Sequence, residues 1–429
     1  MDIFQYREIK FPENFIFGAS TAGQQIDGNS HSQFDDPDIF PPSDYYQPAG
    51  IACNSYRMYR DDIELIKKLG LDAYRMSVEW SRIEPEQGLF DREATDHYVR
   101  QLNELKEAGV KICLTLYHFA HPIWFDRLGK FTDLNQMGEW KKYVEYIVPI
   151  VEPYVDYWIV INEPNLPYRY DMNERLNLLE YHAAGYQIIK KYSAKPVSTT
   201  LAYSMKMPYR GQTDMLDNAL CRYSDFLENE YFLHAIRTGE ICAPGFDGKY
   251  VKDVKDSCDF WAFNTYARCM VDGRKKDWLM DHPIYRASHI RSLKIPFYTD
   301  EIYPDIMINA LLRMKDKPCM ITENGMATED DRFRIVYLTS MLQAIREAMD
   351  MGVEVWGYMC WSLLDNWEWG SCLPQFGIAE VEKVTYRRIP KDSGRLLGDI
   401  SRTHKCSKEM IQKYLKSMPS KNDLQEEAR

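Results

Sequence analysis

The sequence predicts an α/β fold, a (β/α)₈ barrel whose active site lies at the carboxyl ends of its strands. Three observations carry this. A short apolar run followed by a loop and a helical pattern recurs eight times in 429 residues. Each run is nearly continuous in apolar residues, as expected for parallel strands buried on both faces. Long polar side chains stand at seven of the eight run ends, where a barrel gathers its chemistry. A doubly wound sheet would share the alternation, but no Gly-rich phosphate loop follows the first run and no GxGxxG occurs. No linker and no short repeat interrupts the pattern. Residues 1–418 are therefore expected to form one barrel domain, and 419–429 a polar tail.

The first run, NFIFGAS from Asn14, leads to Gln24 and Gln25. The helical segment Arg60 to Leu69 (RDDIELIKKL) follows, with apolar residues at three-and-four spacing and charges opposite. The second run, DAYRMSV from Asp72, carries Arg75 and precedes a second amphipathic segment from Asp96 to Ala108. The third, KICLTLY from Lys111, ends in Tyr117 and His118. The fourth, DYWIVIN from Asp156, ends in Asn162 and Glu163. The fifth, VSTTLAY from Val197, ends in nothing chemically distinctive. The sixth, CDFWAFN from Cys258, ends in Asn264 with Tyr266 beyond. The seventh, CMITEN from Cys319, carries Glu323. The eighth, VEVWGYMCW from Val353, ends in Trp361, with Glu368 and Trp369 downstream.

Composition narrows the ligand. A net charge of −11 argues against nucleic acid or an anionic membrane surface. No run approaches the length of a membrane span. Thirty tyrosines and ten tryptophans supply rings of the kind that stack on sugar faces, although most belong to core and half-buried surface. The charged N-terminal stretch MDIFQYREIKF lacks the apolar core of a signal peptide, and the ten cysteines are scattered singly. The expectation is a cytoplasmic protein with reduced thiols.

A glutamate after a strand is ordinarily a solvated loop residue or a helix cap. Two of them, Glu163 in VINEPN and Glu323 in ITENG, end strands that a barrel places across its mouth. Paired carboxylates about 5 Å apart are what a double-displacement glycosidase needs, one as nucleophile and one as acid and then base. Their roles require different environments. Arg75, projecting beside Glu323, would hold that carboxylate ionised, and its charge would raise the pKa of Glu163. Tyr266 would donate to Glu323. A purely structural Arg–Glu pair is the competing account of Arg75.

Over nearly its whole length the chain resembles glycoside hydrolase family 1, the β-glucosidase family of clan A barrels. The resemblance rests on FPENFIFGASTAGQQIDG, YRMYRDDIELIKKLGLDAYRMSVEWSRIEP, TLYHF, INEP, FWAFNTY, EIYP, ITENG and WSLLDNWEWGSCLPQFGI. It implies that Glu163 is the acid/base and Glu323 the nucleophile of a retaining enzyme that hydrolyses terminal β-D-glycosyl residues, without a cofactor or metal. It implies further that Gln25, His118, Asn162, Tyr266, Trp361, Glu368, Trp369 and Phe376 hold the sugar, supported by Arg75 and Asn264. Glu368 and Gln25 would bridge the hydroxyls farthest from the anomeric carbon, and Trp361 would form the ring platform. The implied partner is a small carbohydrate. Gluco, galacto and fuco substrates share these residues, and the oligomeric state stays open.

Departures from the family pattern concern specificity. Phe119 replaces a usual tryptophan, removing an indole N–H donor. Asn165 and Asp300 stand where aromatic residues are common, and the loop from Trp369 to Phe376 is about a residue short. A polar leaving-group site is expected, unless Met326 or Tyr168 restores an apolar wall. Three alternatives remain at this point. His118 and His121 could ligate a metal, but a third ligand at a known spacing is missing. A 6-phospho-β-glycosidase would need a cationic phosphate pocket, where this chain has Glu368 and Trp369. A catalytically inactive sugar-binding barrel would lack one of the glutamates, and both stand.

Overall fold

In a computed structural model of the protein, which describes residues 7–276, 279–281 and 302–417, the eight apolar runs form one closed parallel barrel. The strands are β1 (Ile16–Ser20), β2 (Ala73–Ser77), β3 (Lys111–Tyr117), β4 (Tyr157–Asn162), β5 (Val197–Ala202), β6 (Trp261–Asn264), β7 (Cys319–Asn324) and β8 (Val355–Trp361). They pair in chain order. β8 closes on β1 through a register from Gly357 opposite Ile16 to Trp361 opposite Ser20. Almost every strand residue is buried, because inward side chains fill the barrel and outward ones meet the helices.

A helix follows each strand: α1 (Ser55–Leu69), α2 (Arg92–Glu107), α3 (Met137–Val151), α4 (Met172–Tyr192), α5 (Tyr231–Thr238), α6 (Asp305–Arg313), α7 (Asp331–Asp350) and α8 (Asp392–Thr403). Local chemistry sets their ends. Asp91 caps α2 by accepting from the Ala94 amide at 3.0 Å. Asp171 and Glu174 form a reciprocal capping box at α4. Gly70, with φ +76°, stops α1 in the left-handed conformation that glycine adopts at little cost.

Two irregularities prepare the mouth of the barrel. Registers shift between Ile159 and Asn162 on β4, between Phe263 and Asn264 on β6, and between Ile321 and Asn324 on β7. Such shifts re-aim the side chains at strand ends. The second is a close approach of β7 to β8: a Cβ on Gly325 would overlap the Trp361 carbonyl, so the glycine of ITENG lets these two strand ends meet. A small sheet of Lys206–Pro208, Cys269–Val271 and Leu279–Asp281 contributes Lys206 and Cys269 to the wall of the cavity there.

The polar tail from Pro419 lies outside the described residues, as does Asp300. No helix among the described residues is long and apolar enough to cross a membrane.

Candidate active site

The barrel mouth opens into a cavity of about 560 Å³. Gln25, His118, Asn162, Glu163, Asn264, Tyr266, Glu323, Trp361, Glu368, Trp369 and Phe376 all line it. Arg75 lies beneath them, fully buried. The twelve residues singled out from strand ends and motifs are thus brought together at one place.

Glu323, 4% exposed, projects from β7. Arg75 donates to its Oε1, and the Tyr266 hydroxyl donates to its Oε2 at 2.7 Å. The other arm of Arg75 donates to Asn162 Oδ1 at 2.6 Å. Burial pushes the Glu323 carboxyl up, and the Arg75 charge and the Tyr266 hydroxyl pull it back. Glu163, 8% exposed, leaves β4 with φ +48°, a left-handed backbone uncommon for a residue with a side chain. Its amide donates to the Thr200 carbonyl at 2.8 Å, and its Oε1 accepts from Asn264 Nδ2 at 2.8 Å. Burial and then the Glu323 charge push Glu163 up to about 8. A guanidinium therefore touches one carboxylate and, among the described residues, only a neutral amide hydrogen-bonds to the other. That difference favours the ionised form more at Glu323 than at Glu163.

The network also settles a tautomer. Asn162 Oδ1 accepts from Arg75, so Asn162 Nδ2 is the atom 3.1 Å from His118 Nε2, and it must donate. His118 Nε2 is then the acceptor and Nδ1 carries the hydrogen. Burial holds His118 well below its usual range, hence neutral. Its Nδ1 has no partner among the described residues. The same reasoning orients Gln25. Its Nε2 donates to Asn366 Oδ1 at 3.0 Å, the Trp367 carbonyl at 2.8 Å and Glu368 Oε2 at 3.3 Å. Its Oε1 is left without a partner among the described residues. One wall of the cavity therefore offers a donor on His118, an acceptor on Gln25 and the Glu368 carboxyl. Trp361 Nε1 donates to Glu368 Oε1 at 3.0 Å. Burial pushes Glu368 up to about 8. The Trp361 ring packs in a buried cluster with Ala22, Ala327 and Phe376, and Tyr266 packs against them. An apolar face bordered by hydrogen-bonding edges is what a neutral polyol requires.

Two expectations need correction. Asn165 offers no polar handle to a leaving group. Its Nδ2 donates to the carbonyls of Ala202 and Glu228, at 2.8 and 2.6 Å, and its Oδ1 accepts from the Ala202 amide at 2.9 Å. It is a fully buried latch between the β4 loop and β5. Met326 builds no wall either, because it is buried in the core, whereas Tyr168, 74% exposed, stands at the cavity rim. The polar groups of the outer cavity are instead Ser204, Lys206, Glu228 and Arg268, with Lys206 donating to Glu228 at 2.6 Å. His121 is not poised as a ligand. Its Nδ1 meets the Tyr117 hydroxyl at 3.1 Å and its Nε2 meets Asp126 at 3.0 Å. Motif reading passed over the four polar groups of the outer cavity and also Arg169, six residues beyond Glu163. Its place on a loop after a site-bearing strand was the available signal.

A closed barrel whose mouth holds two differently biased carboxylates beside an apolar face edged with hydrogen-bonding groups has the parts of a glycosidase. The chain belongs to glycosyl hydrolase family 1, whose sequence model matches residues 7–406. It is 29% identical to Beta-glucosidase A of Acetivibrio thermocellus, covering 90% of this chain and 97% of that one. It is 26% identical to a Beta-galactosidase of Sulfolobus acidocaldarius, covering 94% and 97% of the two chains. Among solved structures it is similar to a beta-glycosidase from Pyrococcus horikoshii. That match has a TM-score of 0.85 at 29% identity and covers 96% of this chain and 99% of that one. The protein is a retaining β-glycosidase.

Proposed function

We propose that the protein hydrolyses small β-glucosides, with β-galactosides and β-fucosides as further substrates, using Glu323 as nucleophile and Glu163 as acid/base. The observation that carries this is the unequal holding of the two carboxylates. Arg75 and Tyr266 favour the ionised form of Glu323, and burial beside Glu323 favours the protonated form of Glu163. Glu323 attacks the anomeric carbon and forms an ester as the C1–O bond breaks, and the departing oxygen takes the Glu163 proton. Water then adds to C1, gives a proton to Glu163 and releases the Glu323 carboxylate. Two inversions leave the anomeric configuration unchanged. NMR of an aryl β-glucoside digest should show the β anomer of glucose first and its mutarotation later. An α anomer formed first would sink the assignment of both roles.

Gln25, His118, Glu368 and Trp369 are proposed to hold the glycone hydroxyls over Trp361, with a neutral glycone in place of a 6-phosphate because Glu368 and Trp369 bring no cation to meet a phosphate. A Glu368→Gln change would turn one carboxyl oxygen into an amide facing either the Gln25 or the Trp361 donor. Leaving a buried donor unsatisfied costs about 1–3 kcal/mol. The expected result is a fall of about ten- to a hundred-fold in kcat/KM for an aryl β-glucoside, with the glycosyl-enzyme still detectable by intact-mass measurement. Kinetics identical to the parent enzyme would place the glycone elsewhere. The relatives named above as a beta-glucosidase and a beta-galactosidase support both glycones. All ten cysteines are unpaired, seven of them buried, which fits a reducing compartment such as the cytoplasm.

A further inference from the structure

Arg169 lies on the loop between β4 and α4 and lines the cavity. Its guanidinium carbon sits 4.1 Å from the centre of the Phe119 ring, 4.7 Å from that of Trp369 and 5.3 Å from that of Phe34. Cation–π contacts of this kind hold a guanidinium in place without consuming its N–H groups. Those groups are unspent. No carboxylate among the described residues lies within ion-pair distance, and Nε is buried with no hydrogen-bond partner among them. The same wall carries His118, which precedes Phe119 and stacks on Trp369 with ring centres 6.1 Å apart. A half-buried cation, held by aromatic rings beside the unpartnered donor of His118, keeps its terminal N–H groups available to an oxygen that enters the cavity.

We propose that Arg169 is a substrate-binding residue that donates hydrogen bonds to glycone hydroxyls on the edge bordered by His118, Gln25 and Glu368, and so sets specificity at that edge. The inference rests on the glycosidase reading above. It accounts for Phe119, whose ring has no N–H but gives the guanidinium an apolar face to lie on. A neutral ligand suits the same cavity, because the Glu323 carboxylate that faces it would repel an anionic sugar. Hydroxyl oxygens accept from a guanidinium without bringing further negative charge. The geometry of five N–H donors lets one side chain serve two adjacent hydroxyls.

The test is steady-state hydrolysis of p-nitrophenyl β-glucoside and its 3-deoxy and 4-deoxy analogues by the parent enzyme, Arg169→Met and Arg169→Lys. A shared leaving group cancels differences in bond cleavage. Arg169→Met should lower kcat/KM for the parent glucoside about ten- to a hundred-fold. On at least one deoxy analogue the loss should shrink to about threefold or less, because the accepting hydroxyl is already gone. Arg169→Lys keeps the charge and one donor, should give an intermediate loss, and decides the matter if the methionine variant does not fold. An equal loss across all three substrates in the folded variants would make Arg169 merely structural and overturn the inference. A parent enzyme faster on the β-glucuronide than on the β-glucoside would overturn it as well, in favour of anion binding. Failure of the parent enzyme on every substrate would overturn the glycosidase reading and this inference together, an outcome distinguished from the others by the parent enzyme alone.

Discussion

Glu323→Ala should lose essentially all turnover, about ten-thousand-fold or more in kcat, as expected when the nucleophile of a covalent mechanism is removed. The surroundings specify how activity returns. Removing the carboxylate leaves the Arg75 guanidinium buried and unpaired, because its partner in the ion pair is gone while Asn162 and Thr115 remain. Breaking a buried pair in this way costs about 3–5 kcal/mol of stability, so a lower melting temperature accompanies the lost activity. It also leaves a small space beside a cation. Azide is an anion of the right size, and it would approach the anomeric carbon from the side that Glu323 occupied. With Glu163 intact on the opposite side, the product should be the α-glycosyl azide. Recovery of the β-glycosyl azide from this variant would reverse the two roles.

How much of this could be read from the chain differs between the barrel and its rim. All eight strands were legible because burial on both faces forces continuous apolar runs, and their ends moved by three residues at most. The sixth run begins at Cys258, yet β6 starts at Trp261. There the Asp259 amide still donates to the Val197 carbonyl at 2.8 Å, while its carboxylate accepts from the Val197 amide at 2.8 Å and from the Tyr186 hydroxyl and Lys190 ammonium. The second amphipathic segment starts at Asp96 by periodicity, but α2 begins at Arg92, where the Asp91 cap overrides a polar first turn. Glu163, Glu323 and the residues on Glu323 were legible because motifs keep chemistry at strand ends. Asn165 and Arg169 were not. Whether an asparagine faces a cavity or ties two loops together depends on carbonyls that belong to Ala202 and Glu228, 37 and 63 residues away. The cage around Arg169 likewise joins Phe34, Phe119 and Trp369, which only the closed barrel brings together. The left-handed backbones of Phe119, Glu163 and Trp369 left no trace in residue type, since none is glycine or asparagine.

Glu163→Ala is expected to divide substrates by leaving group. Protonation of the departing oxygen contributes typically 10²–10⁴-fold, and a 2,4-dinitrophenolate needs little of it whereas a sugar alkoxide needs it all. Cleavage of a β-linked disaccharide should therefore fall by about that range, while glycosylation by 2,4-dinitrophenyl β-glucoside changes little and stalls at the glycosyl-enzyme. Azide should then release that intermediate as the β-glycosyl azide, because the anion enters from the Glu163 side. The pH profile supplies an independent check. On the proposed roles Glu163 acts in its protonated form, and burial with the Glu323 charge has pushed it up to about 8. Above about that pH the parent enzyme loses the acid, so kcat/KM for a disaccharide should fall on its basic limb near 8, and this limb should vanish in Glu163→Ala. Once Glu323 is esterified its charge is gone, and with it the second of the two contributions that raised Glu163, after burial. The pKa moves down, and the same carboxyl becomes ionised in time to take a proton from water. A Glu323→Gln variant mimics that neutral state, and ¹³C titration of its Glu163 carboxyl should show a midpoint below the parent enzyme's. An unmoved midpoint would mean that the two carboxylates do not sense one another, and that the switch from acid to base has another cause.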